Sequence, residues 1–97
     1  MRESNLQKKC LKWLESRKDI CVANIHGGGW TAKGFPDLIA CINGHYVAFE
    51  LKVGENDMQD DQKVWRNRIL RAGGYHFCPR SLEEFIKDVN EVEHDQN

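Results

Sequence analysis

Between residues 34 and 52 the chain runs Gly34-Phe35-Pro36-Asp37, an apolar stretch, the dipeptide Asn43-Gly44, and a second apolar stretch closing on Phe49-Glu50-Leu51-Lys52. Asn-Gly between two apolar runs is a strong short-range signal for a two-residue β-hairpin. Residues 35–42 and 45–53 are therefore expected to pair as antiparallel strands. The first is apolar on both faces and reads as a central strand covered on both sides. In the second, alternation places Tyr46, Ala48, Glu50 and Lys52 on one face and Val47, Phe49, Leu51 and Val53 on the other. An ionised group in an apolar strand is costly unless it is paired or binds a metal. The hairpin carries Asp37 back towards Glu50 and Lys52, so three such groups converge on one place.

The flanking segments supply the rest of the fold. Residues 3–17 repeat Leu6, Cys10, Trp13 and Leu14 at helical spacing, which predicts an amphipathic helix. The same stripe extended backward reaches Glu3. That acid lies near the edge of the buried face, or simply where a helix N-terminus favours negative charge. Residues 20–25 read as a strand. A glycine-rich loop follows, bearing His26, Trp30, Thr31 and Lys33. It lacks the phosphate-cradling GxxxxGK[ST] pattern, and it reads equally as a nucleic-acid contact or as a plain connection.

Residues 58–72 predict a second helix, with Asn56 and Asp57 as capping candidates and Gly73-Gly74 as its stop. Its inward stripe is Met58, Gln62, Trp65, Ile69 and Ala72. Gln62 sits mid-stripe, and a buried amide needs partners. Residues 75–78 read as a further strand. Ser81 followed by Glu84 is a capping box that opens a last helix with Leu82, Phe85, Ile86 and Val89 inward. Residues 90–97 are expected to be a frayed acidic tail. The order is helix, three strands, helix, strand, helix: an α/β chain with one mixed sheet flanked by helices, and a single domain over residues 1–97.

Composition sets limits on function. With 97 residues and a formal net charge of −1, this chain does not bind nucleic acid by bulk charge. A local basic face is still open, from Lys8, Lys9, Lys12, Arg17 and Lys18 and from Lys63, Arg66, Arg68, Arg71 and Arg80. The four cysteines form no CxxC pair and have no histidine at zinc-ligand spacing. They are expected to be small core residues with reduced thiols. No apolar run approaches the ~20 residues of a membrane span, and the first residues lack the apolar core of a signal peptide. No membrane partner is expected, and a cytoplasmic location is.

Two carboxylates on neighbouring strands make a hard oxygen site suited to Mg²⁺ or Mn²⁺. A lysine two residues beyond the second acid can reach the same water and phosphate, which is the equipment of metal-assisted phosphodiester hydrolysis. Glu50-x-Lys52 alone could equally be a same-face ion pair. Joined to Gly34-x-Pro36-Asp37 and Gln62, the pattern is far more specific.

The sequence resembles the VRR-NUC domain, a branch of the PD-(D/E)xK nucleases. Pro36-Asp37 matches the "PD" element and Glu50-Leu51-Lys52 the "ExK" element. Gln62-Lys63-Val64-Trp65 matches the glutamine-led helix, Arg71-Ala72-Gly73-Gly74 its glycine end, and Glu3 the acid of the first helix. The resemblance spans residues 3–89 and implies a stand-alone domain of the kind phages encode, acting in the host cytoplasm, with a restriction-endonuclease-like mixed sheet. It implies a Mg²⁺-dependent DNA endonuclease that uses no nucleotide cofactor. In it Asp37, Glu50 and the Leu51 backbone carbonyl ligate the metal, and Lys52 orients the attacking water and stabilises charge on the phosphate. Gln62 would hydrogen-bond the water or Lys52, and Glu3 would bind metal-coordinated water or a second ion. It further implies branched DNA such as four-way (Holliday) junctions as substrate, cut by a homodimer to leave 5′-phosphate and 3′-hydroxyl ends. Leu11, Ile20 and Leu70 are the apolar candidates for a dimer face. The alternatives are a DNA-binding module without catalysis, and a related nuclease with flap, duplex or sequence-specific preference.

Overall fold

The computed structural model describes residues 2–25 and 32–95. Its elements are α1 (Glu3–Glu15), β1 (Ile20–Asn24), β2 (Leu38–Ile42), β3 (His45–Phe49), α2 (Asp60–Arg71), β4 (Tyr75–Phe77) and α3 (Leu82–Glu93), in the order the sequence predicts. The four strands form one mixed sheet in the order β1-β2-β3-β4. The first three pair antiparallel, and β4 runs parallel to β3 at the edge. The hairpin turns where expected: Asn43 (φ 51°) and Gly44 (φ 81°) both take positive φ, as a mirror-image two-residue turn requires.

One face of the sheet packs on α1 and α3. Leu38, Ala40, Ile42, Val47, Phe49 and Leu51 meet Leu6, Cys10 and Leu14 of α1 and Phe85, Val89 and Val92 of α3. These helical residues recur every three or four positions, so each helix turns one apolar stripe to the sheet. Phe49 is central, with ring centroids 4.6 Å from Phe85 and 5.8 Å from Phe77. Burying each such side chain is worth about 1.5–3 kcal/mol, and this layer fixes the β3 backbone that leads into Glu50. At the start of α3 the Glu84 amide donates to Ser81 Oγ at 3.1 Å. The Glu84 carboxylate accepts from the Arg80 amide at 3.1 Å, one residue before the position a capping box would use.

The second face is covered only in part. Helix α2 lies over the β3–β4 side, leaving Cys21, Ala23 and Cys41 exposed and Tyr46 48 % exposed. So β2 is central in strand order but fully covered on one side only, contrary to the expectation of two covered faces. Only Cys10 is fully buried. Cys78 is half-buried, and Cys21 and Cys41 are open, which corrects the reading of all four as core residues.

Local boundaries also move. Helix α2 begins at Asp60 with Gln59 as its N-cap, not Asn56 or Asp57. Helix α3 runs on to Glu93 because Val92 belongs to its buried stripe, where fraying from residue 90 was expected. Leu11 packs against the core and Ile20 is buried, so of the three dimer-face candidates only Leu70, 50 % exposed, faces outward.

Candidate active site

The site grows from the end of the hairpin. Strand pairing continues irregularly beyond β2 and β3. The Asp37 amide donates to the Phe49 carbonyl at 3.0 Å, and the Ile25 amide donates to the Asp37 carbonyl at 3.0 Å. The Asp37 backbone is thus held between two neighbouring strands. Its carboxylate Oδ2 accepts from the Leu51 amide at 2.8 Å. That bond ties the first acid to the segment bearing the second acid and the lysine.

Strand β3 ends at Phe49, short of the predicted residue 53, yet residues 50–52 keep a partner. The Glu50 amide donates to the Phe77 carbonyl at 2.9 Å and the Lys52 amide to the Pro79 carbonyl at 3.4 Å. The end of β4 and the residues just beyond it therefore hold the backbone at Glu50 and Lys52. Leu51, between them, points into the core at 1 % exposure. Alternation then sends Glu50 and Lys52 to the other face.

Asp37, Glu50 and Lys52 are 4, 2 and 8 % exposed, and they are the only buried charged residues among those described. Glu50 Oε1 accepts from Gln62 Nε2 at 2.5 Å. Gln62 Oε1 accepts from the Gln59 amide at 2.7 Å, so the same side chain caps α2 and grips the acid. Glu50 Oε2 is buried with no hydrogen-bond partner among the described residues. Burial pushes the Glu50 carboxyl up to about 8, reinforced by the negative charges of Asp37, Glu3 and Asp61 and opposed by Lys52. An orphaned buried oxygen beside a second carboxylate is a strong attractor for a cation.

A cleft of about 230 Å³ opens over this cluster, lined by Asp37, Glu50 and Gln62 and walled by Phe35 and Pro36. It depends on a close approach. Gly34 takes φ +84°, and a Cβ there would stand 2.6 Å from the Asp61 carbonyl carbon at the start of α2. Trp65 adds a second tie, with its indole N–H donating to the Lys33 carbonyl at 3.1 Å and its ring edge-on to Phe35 at 4.9 Å. These contacts seat α2 so that Gln62 meets Glu50.

The structure thus brings Asp37, Glu50, Leu51, Lys52 and Gln62 together. Glu3, half-buried at the start of α1, lies close enough for its charge to act on Glu50. Lys33 is exposed, and its backbone carbonyl receives the Trp65 indole. His26, Trp30 and Thr31 lie outside the described residues. Among the described residues no group of three or more His, Cys, Asp and Glu side chains is clustered for a metal. Two carboxylates nonetheless suit Mg²⁺, which keeps several waters and takes phosphate oxygens. Sequence reasoning missed Asp61, whose place beside Gln62 in the first turn of α2 was the available signal. It also missed the Phe77 and Pro79 carbonyls, for which side-chain patterns carry none. No family model, curated protein or solved structure matches this chain.

Proposed function

We propose that the chain is a divalent-metal-dependent nuclease that hydrolyses DNA phosphodiester bonds, as its resemblance to VRR-NUC domains implies. The observation that carries this reading is the buried Glu50 Oε2, unpartnered among the described residues and set beside Asp37 in an open cleft. Without a cation the pair destabilises itself, and the acids would repel a phosphate. With Mg²⁺ or Mn²⁺ both costs are removed.

Asp37 and Glu50 would hold the ion, joined by the Leu51 carbonyl, and Glu3 would hold an outer water or a second ion. The bound ion supplies charge neutralisation and an acidified water. Lys52, anchored by its amide to Pro79, would orient the attacking water and stabilise charge on the phosphate. Gln62 keeps Glu50 in place, and its hydrogen bond to the acid would reorganise when the ion binds. Asp61 would add negative field that raises cation affinity.

Branched DNA, four-way junctions included, is the proposed substrate, with a homodimer supplying two sites for paired cuts. We place the reaction in the cytoplasm, as the resemblance implies; no helix among the described residues is long and apolar enough to cross a membrane. The test is cleavage of labelled four-way junction, flap, single-stranded and duplex DNA with Mg²⁺, with Mn²⁺ and with chelator, beside Asp37→Ala. Metal-dependent cuts lost in the variant are expected. Cleavage that survives chelator or Asp37→Ala would refute the proposal, and binding without cleavage in every metal would favour a DNA-binding module.

A further inference from the structure

The open face of the sheet carries two thiols side by side. Cys21 of β1 and Cys41 of β2 are register partners, so their side chains leave the sheet on the same face, and both are exposed. The Ile25 amide bonds to the Asp37 carbonyl while the Asp37 amide turns to Phe49, so residues 25 and 37 keep one of the two bonds of a hydrogen-bonded pair. Such pairs alternate along an antiparallel ladder, so 23 with 39, and 21 with 41, are of the same kind. Partners of this kind have Cα atoms about 5.5 Å apart, within the range that a disulfide spans. Their Cβ atoms stand up to about 5.5 Å apart, wider than the roughly 3.8 Å of a relaxed bridge. A bridge here must draw the two strands together, and such a bridge is easily reduced.

The two remaining thiols differ. Cys10 lies in the core, where burial pushes it up to about 12, and Cys78 is half-buried and also raised by burial. The thiolate is the reactive form, so both are protected. A cleft of about 330 Å³ over Cys21, Ala23, Cys41 and Tyr46 leaves room for a small oxidant.

We propose that Cys21 and Cys41 form a reversible redox pair, which peroxide closes into an intrachain cross-strand disulfide and a cellular thiol reopens. The thiolate of one cysteine attacks hydrogen peroxide, the O–O bond breaks, and the sulfur becomes a sulfenic acid as hydroxide leaves and takes up the released proton. The second thiol attacks the sulfenic sulfur, the S–S bond forms and water departs. Two thiols lose two electrons and one peroxide becomes two waters. Two reduced thiols of the glutathione class reverse the change through a mixed disulfide. This pair is separate from the carboxylate cluster, and it stands whether or not the chain is a nuclease.

The experiment treats the full chain with limiting hydrogen peroxide, blocks free thiols with N-ethylmaleimide, and reads intact mass and linked peptides. The expected product is lighter by two hydrogen atoms, takes up two maleimides fewer, and yields one peptide pair joining Cys21 to Cys41. Cys21→Ser and Cys41→Ser should each lose it with unchanged circular dichroism, and millimolar reduced glutathione should restore full labelling. Chain-to-chain disulfides, sulfinic acids, unreacted thiols, or a bridge that persists in either serine variant would overturn the proposal. A bridge that resists glutathione would overturn its reversibility.

Discussion

Glu50 is the most deeply buried of the cluster's three charged residues. Its carboxyl sits at 2 % exposure, gripped on one oxygen by Gln62 and, among the described residues, unpartnered on the other. Burial, with Asp37, Glu3 and Asp61, raises it from 4.5 to about 8. A raised acid means that the folded chain binds this proton more tightly than the unfolded chain does. With chelator present, the Glu50 contribution to stability is therefore fully present below pH 4.5 and falls as pH rises towards about 8. Urea melts across that window should show this decline, and Glu50→Gln should flatten it. Gln62→Ala removes two hydrogen bonds, from the Gln59 amide and to the Glu50 carboxylate, and should lower stability by about 2–3 kcal/mol while reducing DNA turnover about tenfold or more, further than the loss of stability explains. A large drop in melting temperature with turnover retained would make Gln62 a core amide instead. Lys52→Ala should cut turnover by about 10²-fold or more; because Lys52 is buried and its charge offsets that of Glu50, it should also lower the melting temperature, and turnover is compared where the variant is still folded.

Among the elements, the close packing of residues 33–37 against α2 places the groups of the candidate site. Gly34 holds φ +84° against the Asp61 backbone. Gly34→Ala adds both strain and a clash and should cost about 1–3 kcal/mol. It should also unseat Gln62, so turnover should fall further than the melt alone explains. Element order was legible in the sequence because local signals carried it: the Leu6-Cys10-Leu14 and Phe85-Val89 stripes, and Asn43-Gly44 between apolar runs. Asp37, Glu50 and Lys52 were legible because ionisable groups in apolar strands need a reason. The hold of Phe77 and Pro79 on Glu50 and Lys52 was not, since parallel pairing across α2 leaves no mark in side-chain pattern. The exposure of Cys21 and Cys41 was not legible either. It depends on α2 landing over β3 and β4, and small apolar strand residues read alike whether covered or open.

Across the whole molecule, the described residues form one core that supports one candidate site. The core lies between the sheet and α1 with α3, and the site lies on the other face beside α2. Paired cuts across a four-way junction need two such sites and hence two chains. Light scattering at cleavage concentrations should give the mass of a dimer. A monomer that still makes paired cuts would separate the dimer proposal from the nuclease proposal. Asp37 and Glu50 are proposed to form a divalent-cation site, and Mn²⁺ binding followed by electron paramagnetic resonance at pH 8 tests this without any DNA. Saturable binding that is lost in Asp37→Asn and in Glu50→Gln, and that weakens as pH falls and Glu50 takes up its proton, is the predicted result. Mn²⁺ binding equal in the wild type and both variants, or none at all, would contradict it.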